Sequence, residues 1–334
     1  MPSSDVRMPL PLTRLSPWYP AQFGVAGAGS DRGLRLDTLG KVIYVDPNYV
    51  GATASPDGTE PDCPVSTVAA ALAQCRDWCN DVILVMHNDN WVYGPALSAG
   101  STDRAVCVNE SVTVTVHGVR IIGVAPSAAL GPVWRPATAG GTCITVHAMD
   151  VLIEGFCFDE VLTGAGSGNG IYVEWDGATL FGENMSVRNN FFADGLATAI
   201  QLEFAWNCYI EDNVFQECQV AGVYVDPGGS GSAYNRIARN WFQDCALALS
   251  LQGSDDCVIE ENHIYNANAQ GAGVATDEGI DTTNGARNLV TNNWLSCALP
   301  VPANGDLDDF CTGSATDAWV SNHCTDGMQV TTPT

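Results

Sequence analysis

The chain has 334 residues, with 38 acidic and 13 basic side chains and a formal charge of −25. Clustered Lys and Arg are what backbone phosphates require, and here twelve Arg stand beside the single Lys41, so a nucleic-acid partner is excluded. Only 15% of the residues are charged and 46% are hydrophobic, the reverse of a disordered solvating chain, and no run reaches the ~18 apolar residues that would make a membrane partner.

Residues 1–40 read as an extended arm. Pro2, Pro9, Pro11, Pro17 and Pro20 interrupt any apolar run, so no secretory signal is expected, and a Gly-rich stretch follows from Gly24 to Gly29. With no export signal and an odd count of 13 cysteines, the chain reads as made and folded in a cytosol with its thiols mostly reduced. Leu10, Leu12, Leu15, Trp18, Tyr19 and Phe23 are available for docking, and a free arm of this composition should fray.

Residues 41–81 form a second region. They hold a strand over Val42–Val45, a turn-rich stretch to Pro64 and a helix near Ser66–Trp78 with Ser66 or Thr67 as N-cap. Val68, Ala71, Leu72 and Cys75 share one face of that helix, which suits a lid over an open apolar end. Cys63, Cys75 and Cys79 could be three zinc ligands, although no fourth is evident. Val82–Met86 then begins the long β-region, 82–334.

A repeat decides the fold of that region. Asn190, Asn213, Asn240, Asn262 and Asn293 each have Val or Ile three residues before them, and Phe, Ile or Leu two residues after. Between these copies recurs a second element, small–apolar–variable–apolar, as in Gly170-Ile171-Tyr172-Val173 and Gly222-Val223-Tyr224-Val225. Its period of two marks a strand. Short strands at a recurring interval with Asn at one corner describe the coils of a solenoid, the amides bonding turn backbone and the next coil's Asn. Weaker copies stand at Ile153/Phe156/Phe158 and Val119/Ile122/Val124, and a last one at Trp319–Cys324 slips by one residue.

With these features, residues from about 40 to 330 resemble the right-handed parallel β-helix, or pectin-lyase-like, superfamily. The resemblance implies an all-β fold: a single solenoid of roughly eight or nine coils with an N-terminal capping helix and an extended arm. It extends to phage virion β-helix proteins, both capsid decoration or spike proteins and tailspikes. The superfamily hosts lyases, hydrolases and inert virion parts alike, so fold alone does not give function.

Candidate chemistry follows from which positions stack. Tyr172, Gln201 and Tyr224 should point outward in register, with Glu174, Glu203 and Asp226 two residues later and Trp175 and Trp206 nearby. Three carboxylates with no basic residue in register must raise a pKa or recruit a cation such as Ca²⁺, and carboxylates this close suit a retaining glycosidase. The column is therefore either a glycan or Ca²⁺ site, with Glu174, Glu203 and Asp226 as catalytic candidates, or a solvated acidic face. His87, His117 and His147 lie 30 apart, each ending an apolar run, and could stack as metal ligands or simply end strands. Asp212, Arg239 and Glu261, with Arg188 opposite Glu211, read as surface ion pairing.

The motifs of the polygalacturonase-like branch are not found. Asp255-Asp256 reads as a turn, and Arg188, Arg236, Arg239 and Arg287 match the lyase-like branch by residue type only. Two functions follow. The first is a non-enzymatic virion protein: a capsid decoration or spike protein of a tailed phage, expected to be a homotrimer. It would bind the major capsid protein or another virion protein through residues 1–40. The second is a polysaccharide-binding or polysaccharide-degrading protein, tailspike-like, with a surface polysaccharide as partner.

Overall fold

The computed structural model describes residues 40–49, 56–87, 108–124, 131–159, 168–174, 182–193, 195–225, 231–265, 279–296, 311–313, 315–324 and 329–330. The arm, apart from Gly40, lies outside them.

One coil shows the plan. The strand Asn169–Val173 leads to Ser186–Arg188, the chain turns at Asn190 into Phe191–Phe192, and Thr198–Leu202 begins the next layer. Repetition of this path builds three sheets. A first sheet of ten strands runs from Val42–Val45 to Ala318–Val320, and a second of ten from Val108–Asn109 to Gln329–Val330. A third of eight runs from Val112–Val114 to Cys311–Thr312. Among the described residues, all strand pairings are parallel except that of Asn322–Cys324 with Gln329–Val330. This is the all-β parallel solenoid that the repeat implies.

The expected Asn column is present and longer than the sequence reading had it. Asn190, Asn213, Asn240, Asn262, Asn293 and Asn322 are buried. Each of the first five donates its backbone N–H and its side-chain amide to the Oδ1 of the next, at 2.9–3.2 Å. Each amide also donates to a carbonyl of the preceding coil, as Asn213 Nδ2 does to Val187 O at 2.9 Å. The last copy therefore does not slip: Trp319 pairs with Val290 and Cys324 with Leu295. An earlier copy does shift, because Ile121, and neither Val119 nor Ile122, aligns with Ile153.

The side chain two residues past the ladder position points inward. Phe158, Phe192, Phe215 and Phe242 form a buried stack with centroids 4.9, 4.9 and 4.5 Å apart and planes within 12°. Burying each ring from water stabilises the solenoid by about 1.5–3 kcal/mol. The stack also explains the small residue that opens the third-sheet element. A Cβ on Gly222 would stand 2.7 Å from the Phe242 ring and 2.8 Å from Ala248 O.

The helix is shorter than its amphipathic pattern suggested, spanning Val68–Leu72. Thr67 caps it, accepting from Ala70 N at 3.1 Å, and the Glu110 carboxylate accepts from Val68 N and Ala69 N. Beyond Ala73 the backbone serves another partner. Arg76 N donates to the buried Asp81 carboxylate at 2.9 Å, and Trp78 and Asn80 adopt left-handed φ of 60° and 54°. Val68, Ala71 and Leu72 join the main core. Among the described residues no helix is long and apolar enough to cross a membrane.

Candidate functional site

The third sheet carries the expected outward column. Tyr172 pairs with Gln201, and Gln201 with Tyr224, as the alternation requires. The register extends the column in both directions, to Thr113 and Thr145 on one side and to Ser250 and Asp281 on the other. Seven successive layers thus present a hydroxyl, amide or carboxylate, and two of them a tyrosine ring. Layers about 4.8 Å apart set these groups at even intervals along one line.

Exposure falls along it. Thr113 is exposed and Tyr172, Gln201 and Tyr224 are half-buried, whereas Ser250 and Asp281 are 1% and 2% exposed. The buried Ser250 Oγ has no hydrogen-bond partner among the described residues, an uncommon state for a buried hydroxyl. Asp281 accepts from Gln252 Nε2 and, at 2.9 Å, from Thr283 N.

The carboxylates beside this column are not without partners, which corrects the sequence reading. Glu203 accepts the Tyr172 hydroxyl hydrogen bond, and Glu174 Oε2 lies 3.1 Å from His147 Nε2. The imidazole comes from the preceding coil, where Val146 pairs with Val173, so a basic group does stand in register. Asp226 and Trp175 lie outside the described residues. Trp206 is 37% exposed, but it occupies the corner leading into the first sheet, in a ladder with Glu183 and Ala233, and its indole donates to Gly231 O.

The three histidines do not form a column. His87 follows the first-sheet strand Val82–Met86, whereas His147 follows the third-sheet strand Ile144–Val146. His117 aligns with Met149, whose N–H it accepts at 3.1 Å. A spacing of 30 residues fails as a register because coil lengths differ. No group of three His, Cys, Asp or Glu among the described residues could hold a metal. That includes Cys63, Cys75 and Cys79, which form no disulfide among the described residues.

Most of the surface charges pair as expected, with some partners changed, but among the described residues Glu261 makes no ion pair with Arg239, which pairs with Glu211 and Asp212. Arg188 reaches back one coil to Glu154 at 3.2 Å and does not pair with Glu211. Glu211 pairs with Arg236 and Arg239, and Arg239 with Asp212. Arg287 holds Asp256 at 2.6 Å, so the lyase-like candidates Arg188, Arg236, Arg239 and Arg287 are all engaged in ion pairs. Asp256 sits in a left-handed turn, as read from sequence.

Sequence reading missed two features. A second buried column precedes the first sheet, where Asn235 Oδ1 accepts from Cys208 N and Asn288 Oδ1 from Cys257 N, both at 2.9 Å. On the second sheet, Trp241, His263, Trp294 and His323 align on consecutive outward positions, with Trp241 and Trp294 exposed.

The family model for the right-handed beta helix region matches residues 104–295. No curated protein matches the chain in sequence. In fold it is similar to the GH136 lacto-N-biosidase of Eubacterium ramulus, with a TM-score of 0.60 at 11% identity over 85% of this chain. The chain spans 56% of that protein's length. It is more distantly similar to the alginate lyase of Paenibacillus sp. str. FPU-7, with TM-score 0.45, 12% identity, and 76% and 83% of the two chains covered. Tailspike protein 2 of Escherichia coli O157:H7 bacteriophage CAB120 gives TM-score 0.45 and 11% identity, over 86% of this chain and 34% of the tailspike. At such identities the likeness is one of fold.

Proposed function

We propose, from the premise that this chain belongs to the right-handed β-helix family, that it is a rigid scaffold whose third sheet binds a glycan. The supporting observation is the column Thr113–Thr145–Tyr172–Gln201–Tyr224, which offers its groups at the surface and continues into the buried Ser250 and Asp281. Sugar rings offer apolar faces to aromatic side chains and hydroxyls to amides, hydroxyls and carboxylates. This column supplies both in one straight line. Its spacing of about 4.8 Å is close to the length of one pyranose in an extended chain. Glu174 and Glu203, one layer apart, are the pair a hydrolytic activity would use, and their hydrogen bonds to His147 and Tyr172 would orient them.

The setting proposed is the surface of a tailed-phage virion, where a homotrimer would be anchored to capsid protein through residues 1–40. That setting rests on the Pro- and Gly-rich composition of the arm and on the acidic body.

A glycan array probed with the full chain tests the binding. Retention of an oligosaccharide by the wild type, and its loss in Tyr172→Ala/Tyr224→Ala, is the expected result. Equal retention by both proteins, or none by the wild type, contradicts it. Reducing ends released by the wild type and not by Glu174→Gln would add catalysis to binding.

A further inference from the structure

Every described arginine but one has a carboxylate within ion-pairing distance: Arg76, Arg135, Arg188, Arg236, Arg239 and Arg287. The exception is Arg120. Its side chain is half-buried, and its Nε is sealed from solvent with no hydrogen-bond partner. An unpaired, partly desolvated guanidinium is costly, and in a chain of charge −25 carboxylates are not scarce. Burial pushes the Arg120 pKa down, the neighbouring Arg188 charge adds to this, and Asp150 and Glu154 oppose it without reaching ion-pair distance. Glu154 is committed instead to Arg188 and Asn189.

Arg120 opens into a cavity of about 480 Å³ on the outer face of the first sheet. Arg120, Leu152 and Ser186 are registered neighbours in three successive strands. Asn80, Asp150 and Asn184 line the corner beside them, and Trp78 stands at the N-terminal end. The Trp78 indole is 57% exposed and yet fixed in place. His117 stacks on it with centroids 4.7 Å apart and planes within 1°, and Trp78 N donates to His117 O at 2.9 Å. His117 is held in turn by Asp77, which accepts from its N–H, and by the N–H of Met149, which donates to its Nδ1.

A fixed exposed indole, an unpaired guanidinium and a rim of amides, a hydroxyl and the Asp150 carboxylate make a pattern that selects a ring bearing no more than one anionic group, placed at Arg120 and away from Asp150. The geometry points to a second binding site here, for a sugar carrying a single carboxylate. Arg120 would take the carboxylate through its planar fork, Trp78 would stack on the ring, and Asn80, Asn184 and Ser186 would bond its hydroxyls. The charge of −25 opposes a polyanion, so the ligand is a neutral glycan ending in one acidic sugar and not a polyuronate. The site lies on the first sheet, away from the third-sheet column, and either can fail without the other.

Titration calorimetry of the full chain tests this with three probes: an oligosaccharide capped by glucuronic acid, its glucose-capped counterpart, and inorganic phosphate. The expected result is at least tenfold tighter binding of the acidic cap than of the neutral one. Arg120→Gln should abolish that preference, and Trp78→Ala should weaken the acidic cap several-fold. Tyr172→Ala should leave the preference intact, which separates this site from the third-sheet column. Arg120→Gln should unfold at no lower temperature than the wild type, since it removes an uncompensated charge, so a lost preference would not be misfolding. Equal affinity for the two caps, a preference that survives Arg120→Gln, or binding of phosphate alone overturns the proposal.

Discussion

Asn240 Oδ1 accepts two hydrogen bonds from Asn213, one from the backbone N–H at 3.0 Å and one from the side-chain amide at 3.1 Å. The same Asn240 donates to Ile210 O at 2.8 Å. Replacing Asn240 by Ala takes the acceptor from the Asn213 backbone N–H and from one of its two amide hydrogens, the other keeping Val187 O, and takes a donor from Ile210 O, at about 1–3 kcal/mol for each buried group so stranded. Asn240→Ala should therefore lower the unfolding free energy by several kcal/mol. Asn322→Ala, at the ladder's end, should cost less. Urea denaturation of both variants checks the order.

The phenylalanine stack gives a second test. Phe215→Ala opens a void between rings 4.9 and 4.5 Å away and should cost about 3–5 kcal/mol. Gly222→Ala attacks the same contact from outside by pressing on the Phe242 ring, and overpacking of this kind costs about 1–3 kcal/mol. In the double variant Gly222→Ala/Phe242→Leu the two effects should be non-additive, readable in a thermodynamic cycle.

Much of this was legible in the sequence because the ladder and the stack recur at one structural position. Asn, with Val or Ile three residues before and an apolar residue two after, repeats whatever the coil length. The interval itself varies, and that misled the reading of His87, His117 and His147. Ion-pair partners were legible only in part. Arg188 spans a coil and can reach either neighbour, and Glu154 lay in a weak copy of the repeat. The Cys208–Asn235–Cys257–Asn288 column was hidden because its residue types alternate. Trp78 belongs to no repeat and Arg120 stands in the shifted early copy, and only the stacking of the N-terminal turn on the first sheet brings them together.

Stability should fall in acid through Asp81. Burial alone would raise this carboxyl, but hydrogen bonds from the Arg76 side chain, Lys41 N and Arg76 N, together with the Arg76 charge, hold its pKa below the ordinary value. In the unfolded chain the group takes up its proton first as pH falls. Its contribution is therefore complete above the unfolded carboxylate value of about 3.9 and disappears as pH drops through the folded value. The wild type should exceed Asp81→Asn by about 1–3 kcal/mol at pH 7, the scale of a stranded buried hydrogen-bonding group. That difference should close toward pH 2. Denaturant midpoints at the two pH values measure it.

Thiol reactivity should follow burial. Burial pushes Cys208 and Cys257 up to about 12, so little thiolate forms at pH 8. Half-buried Cys63 and Cys79 should alkylate in the native protein while Cys208 and Cys257 stay unmodified until denaturant is added. Peptide mass mapping after iodoacetamide reads the sites directly.

Imaging the protein with a retained oligosaccharide, by electron cryomicroscopy or crystallography, tests the central claim most directly. The expected result is ligand density running along the third sheet over Tyr172, Gln201 and Tyr224, toward Ser250. Density confined to the second-sheet residues Trp241 and Trp294, or a bare third sheet at saturating ligand, would contradict it.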